Sequence, residues 1–188
     1  MNAKRPGLTY GKLMLLMLGF IALAVGAAWV RQTFFLGPAL GYDDVPLAVV
    51  RDAAYDLTQT DSAALDRLKG VTQKSTGTLL FVRTNAGNVA KLSVSFQKCL
   101  LDPQNIKFWV HRGTVYDADG RVVQTLDEHC VDLTARYDLD TGAQGAPDEL
   151  GEAADLAFVY RSVGLQLVQA VNGAALSLPG TTEALRAP

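Results

Sequence analysis

The sequence predicts an α+β extracytoplasmic domain that follows a single N-terminal transmembrane helix. Three observations predict this fold class: an uncharged apolar run early in the chain, a central region of alternating apolar and polar residues, and a last segment with helical periodicity. The alternation is typical of an antiparallel meander sheet, here of about five strands. The last segment predicts a C-terminal amphipathic helix on the apolar face of that sheet. Two short helices are expected before the sheet.

The membrane helix is predicted over residues 13–36. Residues 13–30 carry no charge, and at about 1.5 Å per residue they reach about 27 Å, close to the ~30 Å hydrocarbon thickness. Gly37-Pro38 ends the segment. A cleavable signal peptide is the alternative, because "AVGAAW" offers small residues. The apolar region is longer than is usual for signal peptides and no A-x-A follows, so we expect an uncleaved anchor.

The charges on either side of this segment predict its orientation. The leader 1–12 carries three basic residues and no acid, whereas the far side soon reaches Asp43 and Asp44. The positive-inside rule therefore predicts a cytoplasmic leader and an extracytoplasmic C-terminal part. The chain has no N-x-S/T glycosylation sequon, which favours a bacterial inner membrane and periplasm over a eukaryotic lumen.

The outer part of the chain is weakly acidic. All 19 acidic residues lie there, against 14 of the 17 basic ones, so its formal charge is −5. This unpatterned balance argues against nucleic acid as a partner. We expect a linker over 37–44, a domain over 45–172 and a mobile tail over 173–188.

Within this domain, turn signals separate the expected elements. The helices are predicted over 45–57, with Asp44 as cap, and over 62–69, with Asp61 as cap. The strands are predicted over 78–84, 89–97, 106–117, 121–126 and 130–139. The C-terminal helix is predicted from the stripe of Leu156, Val159, Tyr160, Val163, Leu167 and Ala170, and it ends at Asn172-Gly173. In the second strand, one set of side chains should face the core and the other should face water: Ala90, Leu92, Val94 and Phe96 against Lys91, Ser93, Ser95 and Gln97.

The only two cysteines, Cys99 and Cys130, are predicted to form a disulfide. The compartment is oxidising, and strand parity places both on the polar face of the sheet. Closing a loop of roughly 30 residues should stabilise the domain by about 3–4 kcal/mol. The alternative is a metal site built from His111 and His129 with Cys99 or Glu128, but these residues lack a recognised ligand spacing.

Two further motifs bear on ligands and partners. "DLDTG" places Asp138 and Asp140 before Gly142, as at the start of a calcium loop, but the remaining ligands are missing and an acidic turn is expected.

Lys107, Trp109 and His111 should share one water-facing side of the third strand, where an exposed Trp is typical of binding hot spots. The alternative places Trp109 beneath the tail or the helical pair.

Gly19, Ala22 and Gly26 form a small-residue stripe on the membrane helix, which would allow close packing against another helix. The chain contains no G-x-S-x-G, no phosphate-binding glycine loop and no H-E-x-x-H. No cofactor is indicated, and we do not expect an enzyme.

The layout of basic leader, single span and small outer domain is similar to that of bitopic assembly proteins of bacterial secretion and other envelope machines. It indicates a non-enzymatic accessory or assembly subunit of an inner-membrane complex. Its expected partners are other membrane subunits, the bilayer through one helix, and a second copy as a further option. The alternative is a membrane-tethered periplasmic module that binds a ligand or a metal.

Overall fold

The computed structural model describes residues 14, 17–20, 41–68, 77–99, 102–162 and 165–179. The chain divides into two compact units, Met1–Pro38 and Ala39–Ala187. In the first unit only Met14 and Met17–Phe20 are described, and these residues are helical. No helix within the described ranges has both the length and the apolar character needed to cross a membrane. Most of the predicted span 13–36, and with it Ala22 and Gly26, lies outside those ranges.

The second unit is built mainly from strands. Ten strands are described: β1 Gln59–Asp61, β2 Thr78–Arg83, β3 Val89–Cys99, β4 Asp102–Tyr116, β5 Val122–Val131, β6 Arg136–Tyr137, β7 Gln144–Gly145, β8 Leu156–Ser162, β9 Leu165–Ala170 and β10 Ala175–Ser177. The described helices are short: α1 Leu47–Arg51, α2 Ser62–Leu68, α3 Pro147–Leu150 and a 3₁₀ turn Gly151–Ala153. The predicted α+β class is therefore wrong, and the described domain is essentially all-β.

The strands form two antiparallel sheets. Sheet I has the order β10-β2-β3-β4-β5, and sheet II has the order β1-β9-β8-β6-β7. The chain passes from sheet I to sheet II after β5 and returns to the far edge of sheet I with β10. Residues of both sheets share one apolar core, in which the rings of Phe108 and Phe158 lie 4.8 Å apart. Sheet II thus covers the apolar face of sheet I.

The predicted C-terminal amphipathic helix is replaced by the β8–β9 hairpin. Leu156 pairs with Ala170 and Phe158 pairs with Val168, and all four contribute to the core between the sheets. The segment is so rich in apolar residues that it matches a helical spacing and a strand alternation equally well. Its aromatic and β-branched residues favour strands, and pairing with β1 and β6 supplies the backbone hydrogen bonds that a sheet requires.

The central strands lie close to where the alternation predicts them. β2, β3 and β4 overlap the predicted segments 78–84, 89–97 and 106–117, and the connecting turns have left-handed glycines at Gly87 and Gly120. The predicted strand 121–126 and the start of 130–139 instead form one strand, β5, because Asp127 and His129 between them pair with Arg112 and Val110 of β4. Asp61 caps α2 as predicted, accepting the Ala64 N–H at 2.6 Å. Asp44 caps no helix, since its carboxylate accepts the Gly41 N–H and the N-cap of α1 is Pro46.

The second face of sheet I, predicted to be wet, is largely buried. Lys91, Ser93 and Ser95 are 6%, 2% and 5% exposed. Residues from Tyr42 to Tyr55 contribute to a second apolar cluster on this face, together with Leu79, Phe81 and Val89. Alternation shows which side chains share a face, but it does not show whether another segment covers that face.

Lys91 is buried beneath this covering segment. Its ammonium group donates hydrogen bonds to the carbonyls of Tyr42, at 2.8 Å, and Val45, at 3.0 Å, and it lies 4.4 Å from the centre of the Tyr42 ring. Burial lowers the pKa of Lys91, because the charged form loses water contacts. The two carbonyls and the ring replace part of the lost hydration and hold the segment in place.

We expect Tyr42→Phe to destabilise the domain by about 1–2 kcal/mol. The Tyr42 hydroxyl lies 2.7 Å from Thr114 Oγ1 and donates to the Lys91 carbonyl, and the change removes both of these hydrogen bonds while the ring stays over Lys91. Urea unfolding measures the cost, and hydrogen exchange should show faster opening of α1. Tyr160→Phe, at an exposed tyrosine of β8, is the control and should change little. Equal effects of the two changes would contradict the role of the hydroxyl.

Candidate functional site

The three side chains of the predicted partner surface follow one another along β4. Phe108 and Val110 are fully buried in the core between the sheets, so Lys107, Trp109 and His111 occupy the opposite face. The Lys107 side chain is 14% exposed, and Trp109 is partly exposed. His111, however, is buried and belongs to the interior of the domain rather than to its surface.

His111 lies at a β-bulge. Ser93 pairs with Arg112 and Val94 pairs with Val110, so that His111 is the extra residue of β4. Its Nε2 atom lies 2.9 Å from Ser95 Oγ, and its ring centre lies 5.6 Å from that of Trp109. His111 therefore supports the Trp109 ring from the inside.

Trp109 is held on its other side by Glu128 of β5. The indole Nε1–H donates to Glu128 Oε2 at 3.0 Å. Glu128 has a left-handed backbone, with φ of 52°, which is uncommon for a residue other than glycine. This conformation interrupts the regular course of β5 at the residue that supplies the carboxylate. The ring orientation is thus set by a buried histidine and by a carboxylate at its edge.

A polar cavity of about 440 Å³ is lined by residues near Trp109 in the β4–β5 pairing, although Trp109 is not itself one of the lining residues. Cys130, which is directly opposite Trp109 in the β4–β5 pairing, forms part of its wall. The other lining residues come from β4, the β5–β6 turn and β7: Lys107, Asp132, Thr134, Ala135, Gln144, Gly145 and Ala146. The exposed end of sheet I therefore combines an oriented aromatic ring with an adjoining concave, hydrogen-bonding surface.

The cavity contains an ion pair between Lys107 and Asp132, with Nζ and Oδ2 2.5 Å apart. The hydrogen bond from Lys107, followed by those from the Thr134 N–H and hydroxyl, lowers the pKa of Asp132 to about 2. Asp132 is therefore an anion at any physiological pH, and its charge is balanced by Lys107. This pair makes the cavity polar without giving it a net charge.

The predicted disulfide is only partly within the described residues. No described cysteine carries a free thiol, and Cys130 is disulfide-bonded. The side chain of Cys99 lies outside the described residues, so its pairing with Cys130 stays a prediction.

The two histidines weighed as metal ligands make separate contacts. His129 Nδ1 lies 2.9 Å from the hydroxyl of Tyr137, whereas His111 contacts Ser95. Within the described ranges, neither histidine belongs to a group of three ligating side chains. The predicted small-residue stripe is described only at Gly19, where an added Cβ would have no atom within 4 Å.

Three carboxylates converge at one end of the sheets: Asp138, Asp140 and Asp155. One oxygen from each lies within 4.8 Å of the others, and Asp138 and Asp155 are buried. The "DLDTG" motif identified the first two, but Asp155 was missed. Its only signal in the sequence is an acid at the start of an apolar run, "DLAFV".

Hydrogen bonds explain why these carboxylates lie together. Asp155 accepts the backbone N–H groups of Asn85 and Leu139, each at 2.8 Å, and so connects three loops. Asp138 accepts the N–H of Asp140 and the hydroxyl of Thr141 within its own turn. Carboxylate oxygens at this spacing suit a hard cation such as Ca²⁺. The donors already present account for the arrangement as a loop junction, and we assign no metal to it.

Comparisons of the chain with protein-family models, with characterised proteins and with solved structures find no match.

Proposed function

We propose that this protein is a non-enzymatic accessory or assembly subunit of a bacterial inner-membrane complex. The apolar segment 13–36 would hold it at the membrane, and the two-sheet domain would face the periplasm and dock on other membrane subunits. The single observation that carries the docking role is Trp109. It is partly exposed, fixed in orientation by Glu128 and His111, and adjacent to the polar cavity.

This arrangement favours protein recognition for a physical reason. A large ring that is already oriented loses little conformational entropy on binding, and tryptophan is enriched among residues that dominate interface energies. The neighbouring cavity supplies polar groups for the rim of such an interface. Attachment to the membrane raises the effective concentration of the domain near its partners, so the contact at Trp109 can be modest in strength.

The test is co-purification from gently solubilised membranes. Trp109→Ala should lower the recovery of associated membrane subunits about tenfold or more, because truncation of a hot-spot side chain costs ~2 kcal/mol or more. Tyr160→Ala is the matched control, since Tyr160 is an exposed aromatic residue on sheet II and is 54% exposed. Adding Gly26→Leu to Trp109→Ala should lower recovery further, because it disturbs the small-residue stripe.

Two results would contradict the proposal. One is equal recovery with Trp109→Ala and Tyr160→Ala while both variants melt like the native protein. The other is release of the subunits by Tyr160→Ala alone, which would move the docking surface to sheet II.

A further inference from the structure

The surroundings of Trp109 and Glu128 indicate what chemistry a partner would offer. Glu128 accepts the indole hydrogen bond through Oε2, and no hydrogen bond to its second oxygen is described. Among the described residues, no lysine or arginine forms an ion pair with Glu128, whereas Lys107 is paired with Asp132 and Arg112 with Asp43. Within the described part of the chain, the Glu128 carboxylate at the edge of the Trp109 ring therefore has no cationic partner.

An aromatic ring with a carboxylate at its edge is a complementary site for a planar cation. A guanidinium group can stack on the face of tryptophan and at the same time donate two N–H groups to a carboxylate. Lysine lacks both the plane and the fork, so it satisfies this geometry less well. His111 and the Glu128 contact hold the ring before binding, so the partner does not need to order it.

We propose that the partner docks an arginine side chain on Trp109, with its guanidinium group paired to Glu128. This inference rests on the docking role proposed above and names the chemistry of the group that is recognised. It also accounts for the position of Glu128: its left-handed backbone places a carboxylate at the ring edge, a position at which regular β-sheet pairing does not require an acid.

The experiment is an NMR titration of the full chain in detergent micelles, with its tryptophans isotopically labelled. It follows the indole N–H resonance of Trp109, which is assigned by its disappearance in Trp109→Phe. The probe is a blocked Gly-Gly-Arg-Gly-Gly peptide. The matched peptides carry citrulline, which keeps the shape of arginine without its charge, or lysine. We expect saturable shifts at millimolar arginine peptide, with binding of the citrulline peptide weaker by about tenfold and of the lysine peptide weaker by a few-fold.

Glu128→Gln should weaken binding of the arginine peptide about tenfold, because the indole contact can persist while the charge is lost. Asp127→Asn is the control for a general charge effect, since Asp127 is the adjacent exposed acid, and it should leave binding within about twofold. Unchanged melting of both variants excludes unfolding as the cause. Equal binding of the arginine and citrulline peptides, or no effect of Glu128→Gln, would overturn the inference.

The outcomes separate this inference from the proposed function. If Trp109→Ala abolishes co-purification but Glu128→Gln does not, the docking role of Trp109 stands and recognition of an arginine is contradicted. If the arginine peptide binds but Trp109→Ala does not change co-purification, the arginine site stands and the docking role is contradicted.

Discussion

Replacing Asp155 with alanine should destabilise the domain by about 2–4 kcal/mol at pH 5. The side chain is fully buried, and it accepts the backbone N–H groups of Asn85 and Leu139 from two separate loops. Alanine would leave both donors without an acceptor, and an unsatisfied buried donor costs roughly 1–3 kcal/mol. Urea unfolding at a fixed pH measures the difference between the variant and the native protein.

The cost of this change should be smaller at pH 8, by about 1.4 kcal/mol. Burial raises the pKa of Asp155 from 3.8 to about 6, and the hydrogen bonds from Asn85 and Leu139 only partly oppose this effect. Between these two values the folded protein holds a proton that the unfolded chain has released. The free energy of unfolding of the native protein therefore falls as the pH rises through this window, whereas alanine has no group to titrate at this position.

Asp140→Ala is the control within the same cluster. Asp140 is partly exposed and accepts a hydrogen bond from the Asn88 side chain, so its removal should cost only about 1 kcal/mol. A cost of Asp155→Ala that grows from pH 5 to pH 8 would contradict the argument from burial. It would show instead that the ionised form of the carboxylate is the stabilised one.

Cys130→Ala should destabilise the unreduced protein by about 3–4 kcal/mol, and Cys99→Ala should do so to a similar extent. Each change removes the same predicted cross-link, so the double variant should be no less stable than either single variant. The reason is entropic in the chain model: a link across roughly 30 residues restricts the unfolded chain more than the folded one. Urea unfolding with and without a reducing agent measures the effect. Under reducing conditions the native protein should be no more stable than the cysteine variants.

Alkylation provides an independent check of the disulfide. The native, unreduced protein should react at neither cysteine, and labelling of Cys99 alone in that protein would contradict the predicted pairing. Cysteine-free protein is the matched control, because its stability should not respond to the reducing agent at all.

Local sequence was sufficient to predict the central strands of sheet I. Alternation in "VAKLSVSFQ" and "IKFWVHRGTVYD", with glycine turns on either side, predicts β3 and β4 because side chains in a strand alternate with a period of two whatever surrounds them. Phe108 and Val110 accordingly lie inward and are fully buried, whereas Trp109 lies on the opposite face.

Tertiary structure decided what the local pattern could not. The segment that forms β8 and β9 matches a helix and a strand equally well, and only strand partners on both sides make the hairpin. Burial of Lys91 depends on carbonyls of Tyr42 and Val45, almost fifty residues earlier in the chain, and no periodicity encodes such a partner.

The candidate site shows the same division. The sequence by itself determined that Lys107 and Trp109 share a face of one strand, because parity along a strand is a local property. Only the tertiary structure placed Glu128 against the indole, buried His111, and brought Asp155 to the turn of Asp138. These contacts join residues that are distant in sequence, and their energies depend on burial and on hydrogen-bond partners that exist only once the sheets have packed.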